Sequence, residues 1–189
     1  MTRNRMRAAV GACATLLAVG VTGAAQAAPQ PSQSAPATTT YEKGHVVECT
    51  AKLKRYGTAY VSLYSNSVYG NHTQVVIGAD EPTHAGATQP AKLFDRGSIQ
   101  TAVPVVRSDD DKPASNALIK GRYAPVGTPK PVHEEMDDAG YHIVTTGTHQ
   151  QIKARLNIKV LGQTARLQCG EAFAYDLKIM KTPSEGARQ

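Results

Sequence analysis

Cysteine is scarce in this sequence. Cys13, Cys49 and Cys169 are its only three, and none stands in Cys-x-x-Cys. The histidines are His45, His72, His84, His133, His142 and His149, and no two show His-x-x-x-His spacing. Zinc and copper sites often carry ligand pairs at such short spacings, so no local metal motif is present. Gly-x-Ser-x-Gly is missing, as are a P-loop and a dinucleotide fingerprint. That removes the common local signatures of serine hydrolases and nucleotide-dependent enzymes. Asp109, Asp110 and Asp111 are consecutive. An EF-hand needs alternating ligands, a glycine and a closing glutamate, so this stretch reads as a soluble loop. No metal and no cofactor is expected. No window sustains a helical period, and no internal repeat is visible.

What is present begins with an export signal. Arg3, Arg5 and Arg7 form a basic start, Ala8 to Ala24 an apolar run, and Ala25-Gln26-Ala27 a small-x-small cleavage site. Residues 1–27 are therefore expected to be a signal peptide. A membrane anchor fits less well, because a spanning helix wants about 20 strongly apolar residues. Cys13 lies too early in the run for a lipid-modified cysteine. Removing the three arginines from the 21 basic residues, against 15 acidic ones, lowers the net charge from +6 to +3. So mild a charge gives no case for nucleic acid, which wants a concentrated basic face. Residues 28–40 are rich in Pro, Ser, Thr and Ala and read as a disordered tether. One domain is expected over 41–181, with a disordered tail at 182–189 and no membrane span after cleavage. The expected localisation is extracellular.

The alanine-rich signal, and the run from Glu48-Cys49-Thr50 to Tyr69-Gly70-Asn71, resemble secreted proteins of streptomycete-type actinobacteria. The resemblance covers about the first third of the domain. It implies a compartment and no activity.

Period-2 alternation recurs along the domain, which is the signature of half-buried strands. Val47, Cys49, Ala51 and Leu53 share one face, and Ala59, Val61 and Leu63 another. A loop at Arg55-Tyr56-Gly57 would place Cys49 opposite Leu63. Downstream, a turn at Gly162-Gln163 would pair Val160 with Ala165, Ile158 with Leu167 and Leu156 with Cys169. Further strands are expected at 73–78, 98–106, 116–123, 131–136, 141–146 and 172–180. Pro104 suggests that its strand is an edge. The expected fold is all-β: an antiparallel β-sandwich or barrel of about eight strands with one disulfide.

Cys49 and Cys169 are the only cysteines left after cleavage. In an exported chain two such residues usually bridge. A nucleophilic thiol would need exposure and a positive field, whereas both hairpins turn these residues inward. Around His133, Glu134, Glu135, Asp137, Asp138 and His142, an Ala139-Gly140 turn would set Asp137 opposite His142. That cluster reads as a solvated acidic hairpin with a surface ion pair worth about 0–1 kcal/mol.

Two surfaces are candidates for binding. Tyr60 and Tyr64 share the polar face of their strand, with Tyr56 and Tyr69 in the flanking turns. Tyrosines offer flat apolar area with a hydroxyl, which suits sugar rings or a protein partner. Lys153, Arg155, Lys159 and Arg166 form a candidate basic patch, with Arg166 expected opposite Lys159. The default reading is that it is solvated; the acidic hairpin nearby, or an anionic partner such as a wall polymer, would otherwise neutralise it. The leading expectation is a non-catalytic extracellular binding or interaction module, with a glycan, a cell-wall polymer or another extracellular protein as partner. The alternatives are a hydrolase whose site assembles only in the fold and a β-barrel carrier of a small apolar ligand.

Overall fold

A computed structural model describes residues 36–78 and 81–184. The expected signal peptide and most of the tether lie outside the described residues, as does 185–189. Eleven strands follow one another: β1 (Thr38–Leu53), β2 (Gly57–Asn66), β3 (Gly70–Ile77), β4 (His84–Thr88), β5 (Phe94–Asp95), β6 (Ser98–Arg107), β7 (Pro113–Pro125), β8 (Lys130–Asp138), β9 (Tyr141–Val160), β10 (Gln163–Arg166) and β11 (Gln168–Pro183). β1 begins at Thr38 and β11 ends at Pro183, so strand extends past the expected boundaries at 41 and 181. Thr38, Thr39 and Thr40 pair with Lys181, Met180 and Ile179 instead of belonging to the tether.

The strands form one antiparallel sheet. Neighbours run β9-β11-β1-β2-β3-β4-β6-β7, and β7 pairs back onto β9, closing eight strands into a barrel. Alternation along each strand fills the inside. Val47, Leu63, Val75, Ile77, Val103, Ile119, Leu156 and Ile158 belong to one buried cluster that spans the ring. Burying each such side chain is worth roughly 1.5–3 kcal/mol. A one-residue slip of any strand would turn its share of that set to solvent. Pro104 is not on an edge strand: β6 pairs with β7 along its length and with β4 at its C-terminal end. Pro104 lies just before the short β4 ladder, which involves only Val106 and Arg107, so its missing N–H breaks no pairing there.

Both expected hairpins form, each with its register displaced by two residues. Leu53 pairs with Gly57, which sets Cys49 opposite Val61, not Leu63. The second turn is Leu161-Gly162, with φ of 50° and 72°, so Gln163 pairs with Val160 and Ala165 with Ile158. Positive φ at both central residues is the type I′ geometry that matches the twist of a two-residue hairpin. A shift of two keeps every side chain on its face. Cys49 and Cys169 accordingly still meet, as directly opposed residues of β1 and β11 joined by a disulfide. The ladder slips beside them, where Gly170 is the extra residue between Cys169 and Glu171.

β1, β9 and β11 are longer than the barrel needs. Their outer halves continue with β8 as a four-stranded flap, in the order β8-β9-β11-β1. At one rim His45 stacks on Phe94, with centroids 4.5 Å apart and planes 12° apart, and meets Tyr123 edge-on at 5.4 Å. Burial lowers the His45 pKa, so the ring is neutral at pH 7.

Two outcomes test this construction. Alkylation of the unreduced protein should label neither Cys49 nor Cys169. Removing both sulfurs with Cys49→Ala and Cys169→Ala should lower the folding free energy by about 4–5 kcal/mol for a loop of this length, read from the denaturant midpoint; a free thiol would overturn the assignment. For His45, the unfolded ring takes up a proton near pH 6.5 while the folded ring resists it. Stability should therefore fall as pH drops below about 6.5, and His45→Phe should flatten that decline.

Candidate functional site

Directly paired residues share a face, so the ladder maps the outer wall over β3, β2, β1 and β11. Tyr60 lies beside Val76, Thr50 and Gln168. Ser62 lies beside Gln74, Glu48 and Glu171. Tyr64 lies beside His72, Val46 and Phe173, and Asn66 beside Gly44 and Tyr175. The wall thus alternates aromatic rings with hydroxyl, amide and carboxylate groups. Tyr60 is 46% exposed. It flanks an open groove of about 600 Å3 that is also lined by Glu48, Thr50, Ser62, Gln168 and Glu171. The groove lies over the strand irregularity next to the disulfide, where the extra Gly170 interrupts the regular pleat.

Tyr64, four residues along, is anchored by neighbours on its own face. Asn66 donates to the Glu42 carboxylate (2.7 Å) and to the Tyr175 hydroxyl (2.9 Å), and all three side chains are buried. The Asn66 amide oxygen accepts from the backbone N–H of Val68 and Tyr69, which ties the β2–β3 turn to the same cluster. The Tyr175 hydroxyl has one proton to give. The Ser65 carbonyl (3.1 Å) and the Tyr64 hydroxyl (3.3 Å) both lie within reach, and Tyr64 can donate back. Gly44 makes this crossing possible, because a Cβ there would collide with the Ser65 carbonyl and the Tyr175 ring. Phe173 and His149 extend the aromatic row, with His149–Phe173 centroids 4.7 Å apart and Phe173–Tyr175 centroids 6.4 Å apart. Burial, then the Tyr64 hydrogen bond, raises the Tyr175 pKa well above that of an ordinary phenol.

The four expected tyrosines do not stay together. Tyr60 and Tyr64 hold the wall. Tyr69 is 70% exposed in the turn after β2. Tyr56 leaves the face, because it packs against the core and meets the His84 ring edge-on at 5.6 Å. Tyr175 and Phe173 join only through the β1–β11 pairing, and His149 through β11–β9, contacts between chain segments that no local pattern reveals.

The acidic hairpin forms with Asp137 opposite His142, and their side chains are 3.0 Å apart. His133 and Glu135 make a second exposed pair at 3.0 Å. Among the described residues, no group of three His, Cys, Asp or Glu side chains is arranged to hold a metal ion. In the aspartate loop Arg107 grips Asp109 through two hydrogen bonds and holds its pKa down to about 2. The basic patch lies on the outer wall of the barrel, but with a changed partner. Lys159 faces Thr164, and Arg166 faces Asn157, because the hairpin register is shifted by two. No family model, curated protein or solved structure matches the chain.

Tyr175 offers a direct check. The unfolded phenol ionises near pH 10, while the folded one stays neutral, so the native state then binds more protons than the unfolded state. Stability should fall above pH 10, by up to about 1.4 kcal/mol per pH unit from this group. Tyr175→Phe should remove that increment. At pH 7 the same substitution should cost about 1–3 kcal/mol in urea denaturation, because the buried Asn66 amide loses an acceptor.

Proposed function

We propose that this chain is an exported, non-catalytic binding module whose tyrosine wall holds a glycan of the cell-wall type. The observation that carries this reading is the placement of exposed Tyr60 on the same outer face as the anchored Tyr64. Hydrogen-bonding Ser62, Glu48 and Glu171 lie between them. At the rise of a β-strand the two rings are about 13 Å apart, so a chain of sugars, and not a single ring, would touch both. Tyrosine presents a rigid apolar plate with a polar tip. Carboxylates accept strong hydrogen bonds from hydroxyls. The buried cluster that fills the barrel favours an exterior site over a carrier cavity. The export part of the reading rests on the signal-like first 27 residues and the streptomycete resemblance. The disulfide is consistent with an extracellular compartment, and no helix among the described residues is long and apolar enough to cross a membrane.

One arrangement favours a second reading. Glu48 and Glu171 stand directly opposite each other in the groove beside Tyr60. Retaining glycosidases use two carboxyl groups about 5–5.5 Å apart. Release of reducing sugar from a bound polymer, abolished by Glu48→Gln, would replace binding with hydrolysis.

Co-sedimentation with cellulose, chitin and purified bacterial cell wall tests the wall itself. Tyr60→Ala should weaken retention at least about tenfold, equivalent to about 1.4 kcal/mol. Because its ring is exposed, stability should change by no more than about 0.5 kcal/mol. If a Tyr60→Ala, Tyr64→Ala double variant is retained as well as the wild type, this wall is not the site.

A further inference from the structure

The barrel wall across the ring from the tyrosines has the opposite chemistry. Its outer face is built from β6, β7, the C-terminal half of β9, and β10. Lys120 and Arg122 project from β7, Lys153, Arg155 and Lys159 from β9, and Arg166 from β10. All six are exposed, and among the described residues none takes part in an ion pair. The segregation is written into the chain. Residues 112–133 and 139–170 contain no Asp or Glu at all, so no carboxylate can reach this face from its own strands.

Within the patch, Arg122 and Arg155 are directly opposed across the β7–β9 ladder, and Lys120 lies beside Asn157, which in turn faces Arg166. Like charges directly opposite destabilise a sheet. Between Lys120 and Lys159 is an open depression of about 530 Å3, also lined by Gln100, Leu118, Asn157 and Thr164. Leu118 is 46% exposed there and gives the depression an apolar floor.

We propose that this wall is a second binding site, for a linear anionic polymer that carries phosphate or carboxylate groups. The choice of a polymer follows from spacing. Lys153 to Lys159 spans about 20 Å along β9, so a single small anion reaches only a fraction of the cations, whereas a chain crossing the wall neutralises several together. The opposed guanidiniums provide planar forks suited to phosphate and carboxylate. A bound anion turns their mutual repulsion into shared attraction. No aromatic side chain stands on this outer face, so it lacks the stacking platforms that single-stranded nucleic acids use. The site is separate from the tyrosine wall and does not depend on the reading proposed for it.

The test is fluorescence-detected titration of the purified mature protein with long-chain polyphosphate, with polygalacturonate and with neutral pullulan. Both polyanions, or one of them, should bind, and pullulan should not bind this wall. The preferred polymer identifies the group recognised. Raising the salt from 50 to 200 mM should weaken binding by about tenfold or more, as expected when several counterions are released. Arg122→Gln with Arg155→Gln should weaken it at least about tenfold and leave the melting temperature unchanged or raised, since the variant relieves a like-charge pair. A Tyr60→Ala variant should bind polyanion normally, which separates this site from the other wall. Absence of polyanion binding, unchanged affinity in the double arginine variant, or tighter binding of a single-stranded oligonucleotide would overturn the proposal.

Discussion

The ladder between β7 and β9 is the constraint on which the rest of the structure depends. It joins Leu118–Pro125 to Lys159–Ile152 and converts an open sheet into a ring. Closure removes the exposed sheet edges from that ring, and those edges are otherwise templates for aggregation. It also forces each strand to commit one set of side chains to the interior. The inward set is almost wholly apolar, so polar and charged groups have nowhere to go but the outer walls. Two inward residues break this sorting. Thr73 and Thr101 are buried, and their hydroxyls have no hydrogen-bond partner within the protein.

The two walls differ because the chain distributes its charges unevenly along its length. β1, β2 and β11 bring tyrosine, serine, amide and glutamate side chains to one surface, and β7, β9 and β10 bring six cations and no carboxylate to the other. On the tyrosine wall the geometry is held by a buried polar cluster, Glu42–Asn66–Tyr175, in which each member satisfies another. Low local dielectric makes such a network strong when complete and expensive when one member is lost. Tyr64 is therefore positioned by residues from three strands, while Tyr60 stands free beside the groove.

Much of the fold was legible locally. Alternation in 47–53, 59–63 and 156–160 assigned the strands and their inward faces, and those assignments hold. Register was less legible. Gly57 and Gly162 both have positive φ near the expected turns, but the chain reverses around Lys54–Tyr56 and Leu161-Gly162, each pairing two residues away from the expectation. A non-glycine residue at positive φ, such as Leu161, gives little warning in a sequence. A displacement of two leaves the faces intact, because side chains repeat every two residues, and Cys49 and Cys169 still face each other. Opposite partners did change, so Lys159 meets Thr164 and Arg166 meets Asn157.

By itself, the sequence determined the class of structure and the inward faces, because a period of two fixes both. It also determined that Cys49 and Cys169 would face a common core. Tertiary structure decided that the sheet closes into a barrel, and which side chains share a wall. Tyr175 reaches Tyr64 only because β11 pairs with β1 and Gly44 leaves room for its ring. Lys120 and Arg122 join the basic patch only because β7 returns to β9. Local periodicity carries no information about contacts between segments far apart in the chain. Those contacts are set by strand order and closure, which minimise exposed apolar surface and unpaired backbone over the whole domain.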